Sequence, residues 1–201
     1  MIITQIEALP KNRYKIFIDC EFAFVLYKGE LCQYGIAVDK EISSEDYHTV
    51  TKLILPKRAK LRAMNLLQKK NYTEKQLRDK LNEGYYSEDI INNTIEYVKS
   101  YHYVDDVMYA LDYITYHAQK KSLRIIEQEL YRKGIGKDIF SKALMQWEEN
   151  GEAQDIQGMI QEHLRKKNYQ EDCDINTKRK LYTFLLRKGY PAEEISKAMR
   201  L

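Results

Sequence analysis

The chain has 201 residues, 44% of them hydrophobic and 31% charged, with eight Gly and three Pro; this fits a charged helical protein far better than a disordered one. No run of about 18 apolar residues occurs, which excludes a membrane-spanning helix, and Met1 to Glu7 lack the basic-then-apolar layout of a secretory signal. The net charge of +3 is divided unevenly, since residues 1–56 hold six Lys/Arg against eight Asp/Glu and residues 57–201 hold 27 against 22.

Residues 2–27 read as strands. Tyr14-Lys15-Ile16-Phe17-Ile18 and Phe22-Ala23-Phe24-Val25-Leu26-Tyr27 are β-branched and aromatic, Asp19-Cys20-Glu21 between them is of hairpin length, and Ile2 to Ala8 supplies a third strand. Lys28-Gly29 is expected to turn the chain out of the meander. Three strands cannot bury both faces alone, so the sheet should lean on a helix. Ser43 followed by Glu45 and Asp46 marks a helix start, and Pro56 is expected to break or kink that helix before the basic run Lys57-Arg58-Ala59-Lys60.

From residue 57 the apolar period becomes helical: Leu61, Met64, Leu66, Leu67, Leu77 and Leu81 fall at spacings suited to one face. Thr73 and Gln76 fit a capping box. The segment then repeats itself. Leu81-Asn82-Glu83-Gly84-Tyr85, Tyr131-Arg132-Lys133-Gly134-Ile135 and Leu186-Arg187-Lys188-Gly189-Tyr190 each close one helix ahead of another. In each, a left-handed C′ glycine is expected after the helix, an apolar residue packs back, and a new helix begins nearby. Pro191 sits where a helix start tolerates proline. The glycines lie about 50 residues apart, room for three short helices per unit. The chain therefore divides into a β extension over 1–42, a linker helix and first repeat over 43–100, a second repeat over 101–150 and a third over 151–201. The third is expected to carry an insertion near Glu171 to Lys180. Stacked repeats form an elongated, curved solenoid suited to a long partner.

Three stretches resemble the bacterial RecX family: Leu77-x-x-x-Leu81 with Gly84, Tyr103-Val104-Asp105-Asp106-x-x-Tyr109-Ala110, and Ile126-x-x-Glu129-Leu130-x-x-Lys133-Gly134-Ile135. Phe17-Ile18-Asp19-x-Glu21-Phe22-Ala23-Phe24 also looks like the β extension of longer, Gram-positive-type members, which usually carry Gly where this chain has Cys20. The resemblance covers essentially the whole chain and weakens in the third repeat. It implies a mainly α fold of three tandem three-helix repeats with a small N-terminal antiparallel β element. It also implies a regulator, active in recombination, DNA repair and the SOS response, that binds RecA and its filament on single-stranded DNA, suppresses ATP hydrolysis and strand exchange, and favours filament disassembly. A monomer and no cofactor are expected.

The candidate contact residues are basic: Arg58, Lys60, Arg62, Lys69, Lys70, Arg78, Lys120, Lys121, Arg124, Arg132, Lys133, Arg187 and Lys188. Further basic runs occur at Arg165-Lys166-Lys167 and Lys178-Arg179-Lys180. Any of these can be a solvated helix face matched to a helix dipole, or part of a surface meeting an acidic partner or a phosphate backbone. Tyr109, Tyr113 and Tyr116 share a helix face and are expected to pack between helices rather than stack on bases. Trp147 is expected in the core, and Asp105-Asp106 reads as a helix cap rather than an acid–base pair.

No catalytic or metal-binding residues are assigned. His48, His102, His117 and His163 form no H-x-x-x-H or H-E-x-x-H pattern, and neither a phosphate-cradling Gly-rich loop nor a nucleophile elbow is present. Cys20, Cys32 and Cys173 are odd in number and far apart, which suits a reducing compartment, so the cytoplasm is the expected address. Two rivals stand beside the RecX-like reading. One is a helical-repeat protein binding DNA or RNA directly through its basic clusters. The other is a tetratricopeptide-like adaptor, disfavoured by the 50-residue spacing and the missing W-x-x-L-G pattern.

Overall fold

The computed structural model describes residues 1–201. They form two compact units, Met1–Val104 and Asp105–Leu201. The chain is mainly helical with one small sheet, as its sequence leads one to expect.

In the first unit, β1 (Ile3–Leu9), β2 (Arg13–Ile18) and β3 (Glu21–Tyr27) pair antiparallel in sequence order. Asp19 and Cys20 join β2 to β3 with φ of 49° and 71°, so the hairpin takes the doubly left-handed type I′ backbone without glycine. Lys28-Gly29 does not simply turn the chain out. Residues Lys28–Gln33 form a short helix, α1, because the Glu30 carboxylate returns to accept the Tyr27 amide at 2.7 Å and closes its first turn.

Ser43 caps α2 (Ser44–Thr49), and the axis continues through a π-helical turn, Val50–Ile54, into α3 (Leu55–Leu67). Pro56 therefore does not end this helix. Its ring would meet the carbonyl four residues back and it offers no N–H, so the turn ahead of it widens and Pro56 occupies the first turn of α3. Thr73 begins α4 (Glu74–Asn82) with the expected capping box: its hydroxyl accepts from Gln76 N at 3.2 Å and its amide donates to Gln76 Oε1 at 3.4 Å. Helix α5 spans Glu88–Ser100. Ile3, Ile16, Phe24 and Leu26 of the sheet share one core with Val50, Ala59, Ala63, Leu77, Leu81 and Ile95. A buried Leu or Ile contributes about 1.5–3 kcal/mol, so the sheet gains its stability from the helices.

The second unit holds α6 (Asp106–His117), α7 (Leu123–Arg132) and α8 (Lys137–Glu149) around Ala110, Ile114, Ile126, Leu130, Phe140 and Trp147. Helices α9 (Ile156–Lys166), α10 (Ile175–Arg187) and α11 (Ala192–Met199) surround a separate core of Ile160, Leu164, Leu185, Tyr190, Ile195 and Met199. Trp147 is core, and Asp105 caps α6 by accepting the amides of Val107 and Met108 at 2.9 and 3.0 Å.

The repeated glycines divide two to one. Gly134 and Gly189 have φ of 96° and 84° and end α7 and α10 as expected, with Ile135 N bonding Leu130 O and Tyr190 N bonding Leu185 O. Gly84 is different: the left-handed residue is Tyr85, at 62°. Glycine serves position 84 because a Cβ there would lie 2.6 Å from the Tyr86 ring. The stretch from Glu171 to Lys180, where an insertion is expected, runs into α10. Asp174 caps α10 through the amides of Asn176 and Thr177 at 2.9 and 3.0 Å, so Lys178, Arg179 and Lys180 are helical. Tyr116 also departs from expectation, being 69% exposed. It lies two residues past buried Ile114, about 200° around the helix, and so points away from the core.

Candidate polyanion-binding site

In the first unit most of the candidate cations are committed to local structure. Arg58 pairs with Glu30, donates to Val25 O at 3.0 Å and lies 4.8 Å from the Tyr27 ring centroid; it ties α3 to the end of β3. Arg62 donates twice to Lys80 O, satisfying a last-turn carbonyl of α4. Arg78 bonds Glu74 and Asn92 at 2.9 and 2.6 Å. Lys60 stands over Tyr97 and Lys70 over Tyr72, each at 4.5 Å. Lys69 is exposed.

The second unit gathers Lys120, Lys121, Arg187 and Lys188 around one cavity of about 490 Å³. The α6–α7 connection brings two of them, and the end of α10 brings the others. The two sides are joined by Ser122, whose hydroxyl donates to Lys188 O at 2.6 Å, while Gly189 approaches so closely that a Cβ there would fall on Ser122 Oγ. Gln154 reinforces the junction by donating to Ala118 O and Lys121 O, both at 2.6 Å. Arg124 borders this seam, with its Cβ 3.1 Å from where that of residue 189 would be. Arg132 lines a different, apolar cleft, and Lys133 stands over Tyr113 at 5.4 Å. The two Arg-Lys pairs that recur in sequence therefore serve different surroundings.

Along α10 the basic surface continues. Asn176, Arg179, Lys180, Thr183 and Arg187 line a second cavity of about 420 Å³ that shares Arg187 with the first. Their three- and four-residue spacing puts them on one helix face. Arg179 and Lys180 belong to the basic run Lys178-Arg179-Lys180 at the edge of the expected insertion, and their spacing to Thr183 and Arg187 is the sequence signal for a shared face. Arg179, Lys180, Arg187, Lys188 and Lys120 form no ion pair.

Lys121 does, at 2.7 Å from Glu129. Burial works against the Glu129 carboxylate, but bonds from Lys121 and the Tyr113 hydroxyl outweigh it and hold its pKa below the ordinary value. His163 lies between the rings of Phe184 and Tyr190, and burial, then Lys188 and Lys166, lower its pKa. At neutral pH the cavity therefore sets Lys120, Lys121, Arg187 and Lys188 against one carboxylate, Glu129. A net excess of one sign in a concave surface attracts a polyanion over roughly a Debye length, about 8–10 Å at 0.1–0.15 M salt. No group of three or more His, Cys, Asp and Glu side chains is placed to hold a metal ion, and no helix is long and apolar enough to cross a membrane.

Comparison with known proteins gives a consistent picture. Family models for the first and third three-helix domains of RecX match residues 59–97 and 155–199. Regulatory protein RecX of Caldanaerobacter subterraneus subsp. tengcongensis is 35% identical over 204 residues, spanning 100% of both chains. That of Clostridium acetobutylicum is 32% identical over 98% of this chain and 94% of its own. A crystal structure of regulatory protein RecX superposes with a TM-score of 0.64 over 99% of this chain and 98% of its own, at 23% identity. RecX from Lactobacillus salivarius gives 0.61 over 73% and 96%, at 22%. At such identities the structural likeness speaks to the fold.

Proposed function

Since the chain belongs to the RecX family of regulatory proteins, we propose that it is a non-catalytic regulator of homologous recombination that binds RecA nucleoprotein filaments and inhibits their ATP hydrolysis and strand exchange. The observation that carries this reading is the 35% identity to a regulatory protein RecX along the entire chain. The basic surface of the second unit supports it, because a nucleoprotein filament presents phosphates and acidic protein surface that unpaired Lys and Arg side chains complement. The free thiols are compatible with work in the cytoplasm. In this reading the protein acts by contact, as a monomer, and without a cofactor.

The test is DNA-dependent ATP hydrolysis by the cognate RecA. Addition of the protein at substoichiometric amounts slows hydrolysis and strand exchange. Unchanged rates at equimolar protein and RecA refute the proposal.

A further inference from the structure

We propose that the cleft between α7 and α8 docks a short amphipathic segment of a protein partner, which lays a large apolar side chain on Ile135 and Phe140 and sets an Asp or Glu against Arg132 and Lys137. This cleft lies within one repeat, apart from the basic seam, and a partner there is a matter separate from filament inhibition.

Three features of the cleft select that occupant. First, its floor is apolar. A space of about 320 Å³ opens onto Ile135 and Phe140, which are 2% and 7% exposed. That volume is at the small end of ligand pockets and suits one or two side chains of a docked segment. Tyr131 forms the lip: it follows buried Leu130 by one residue, about 100° around the helix, and stands 72% exposed. Tyr beside Arg is the composition that dominates the energetic centres of protein interfaces.

Second, the end of the cleft at the α7–α8 turn is cationic and not neutralised. Arg132 and Lys137 are exposed and form no ion pair. Arg132 lies in the last turn of α7, where a cation suits the helix dipole, but Lys137 is the first residue of α8, where it opposes the dipole. Asp138 follows in the same turn and pairs with neither cation. Stability of the fold gives no account of Lys137 at this position, whereas a carboxylate arriving on a partner does.

Third, Glu127 stands at the other end of the cleft, about 7.5 Å along α7 from Arg132. It would repel a phosphate chain, which would also leave Ile135 and Phe140 uncovered. A segment of mixed character, with its acid at one end and an apolar side chain beside it, satisfies the whole cleft.

The test is NMR of the isotope-labelled full chain titrated with the peptide acetyl-Lys-Ala-Leu-Phe-Asp-Glu-amide at millimolar concentration. Saturable shifts are expected in the amides of residues 127–140. Arg132→Glu with Lys137→Glu is expected to weaken binding about tenfold, and the analogue peptide with Lys in place of Asp and Glu regains affinity for that variant. Tyr131→Ala weakens binding several-fold. Lys142→Glu, exposed on α8 outside the cleft, changes nothing. Fluorescence of Trp147, buried in the core of the same repeat, checks that each variant is folded.

Shifts that do not saturate, or that centre on Lys120, Arg187 and Lys188 instead, overturn the proposal. So does undiminished binding by the Arg132/Lys137 variant. An equal response to the analogue with Ser in place of Leu and Phe overturns it as well, since charge alone then accounts for binding. The same amides shifting with protein concentration in the absence of peptide would place a second copy of this chain in the cleft and likewise overturn it.

Discussion

Gly189→Ala tests whether the seam of the second unit is a structural joint. Gly189 has φ +84°, and a Cβ would fall on Ser122 Oγ and lie 3.1 Å from Arg124 Cβ. The backbone conformation alone costs an alanine about 1 kcal/mol. To make room, Ser122 must move. It is 4% exposed, caps α7 by accepting from Ile125 N at 3.4 Å, and donates to Lys188 O. Loss of the cap costs about 1 kcal/mol, and an unpaired carbonyl at the seam costs about 1 kcal/mol or more. The total is about 3 kcal/mol. Gly151→Ala is the control, because Gly151 has φ +80° with nothing within 4 Å of a Cβ and should cost only the backbone contribution, about 1 kcal/mol. Urea unfolding followed by fluorescence suits the comparison, since Trp147 is the only tryptophan and lies in the second unit's core. The expected midpoint loss is two- to threefold larger for Gly189→Ala. A difference of less than about 0.5 kcal/mol between the two variants, within which independent sites normally agree, refutes the claim that Ser122 and Gly189 hold the repeats together.

Three further outcomes follow from the same structure. Arg58→Ala removes a partly buried ion pair, a carbonyl bond and a ring contact, and should destabilise the first unit by about 2 kcal/mol; faster amide exchange in β3 with an unchanged Trp147 transition is the expected signature. Thr73→Ala, at a fully buried capping box, should cost about 1–2 kcal/mol, read as a lower thermal midpoint of the first unit. The last concerns pH. Burial first, and then Lys121 near His117 or Lys188 near His163, holds both imidazoles below the ordinary pKa of 6.5. The unfolded chain then takes up protons first as pH falls, so stability is full above about pH 6.5 and declines below it until the folded-state values are passed. His117→Gln with His163→Gln should flatten the thermal midpoint between pH 7 and 5; an unchanged slope there would show that these imidazoles are not its source.

The sequence by itself determined what local chemistry decides. The three strands, the caps at Ser43, Thr73 and Asp105, the left-handed glycines at 134 and 189 and the buried Trp147 all follow from residue type and spacing, because each depends on neighbours within a few positions. Local reasoning failed where the deciding group was a side chain whose position spacing does not reveal. The exception at Gly84 is set by the Tyr86 ring, and the helical start at Lys28 by the returning Glu30 carboxylate. The candidate site was legible only in part. Lys120, Lys121, Arg187 and Lys188 could be named from clustering, yet the same clustering named Arg58, Arg62 and Arg78, whose charges the first unit uses internally. Which cations are free is a property of tertiary packing, since it depends on carbonyls and carboxylates up to 33 residues away in sequence. Likewise, only the folded chain joins residues near 120 to residues near 188 through Ser122, 66 positions from its partner, and so places the basic surface at a seam.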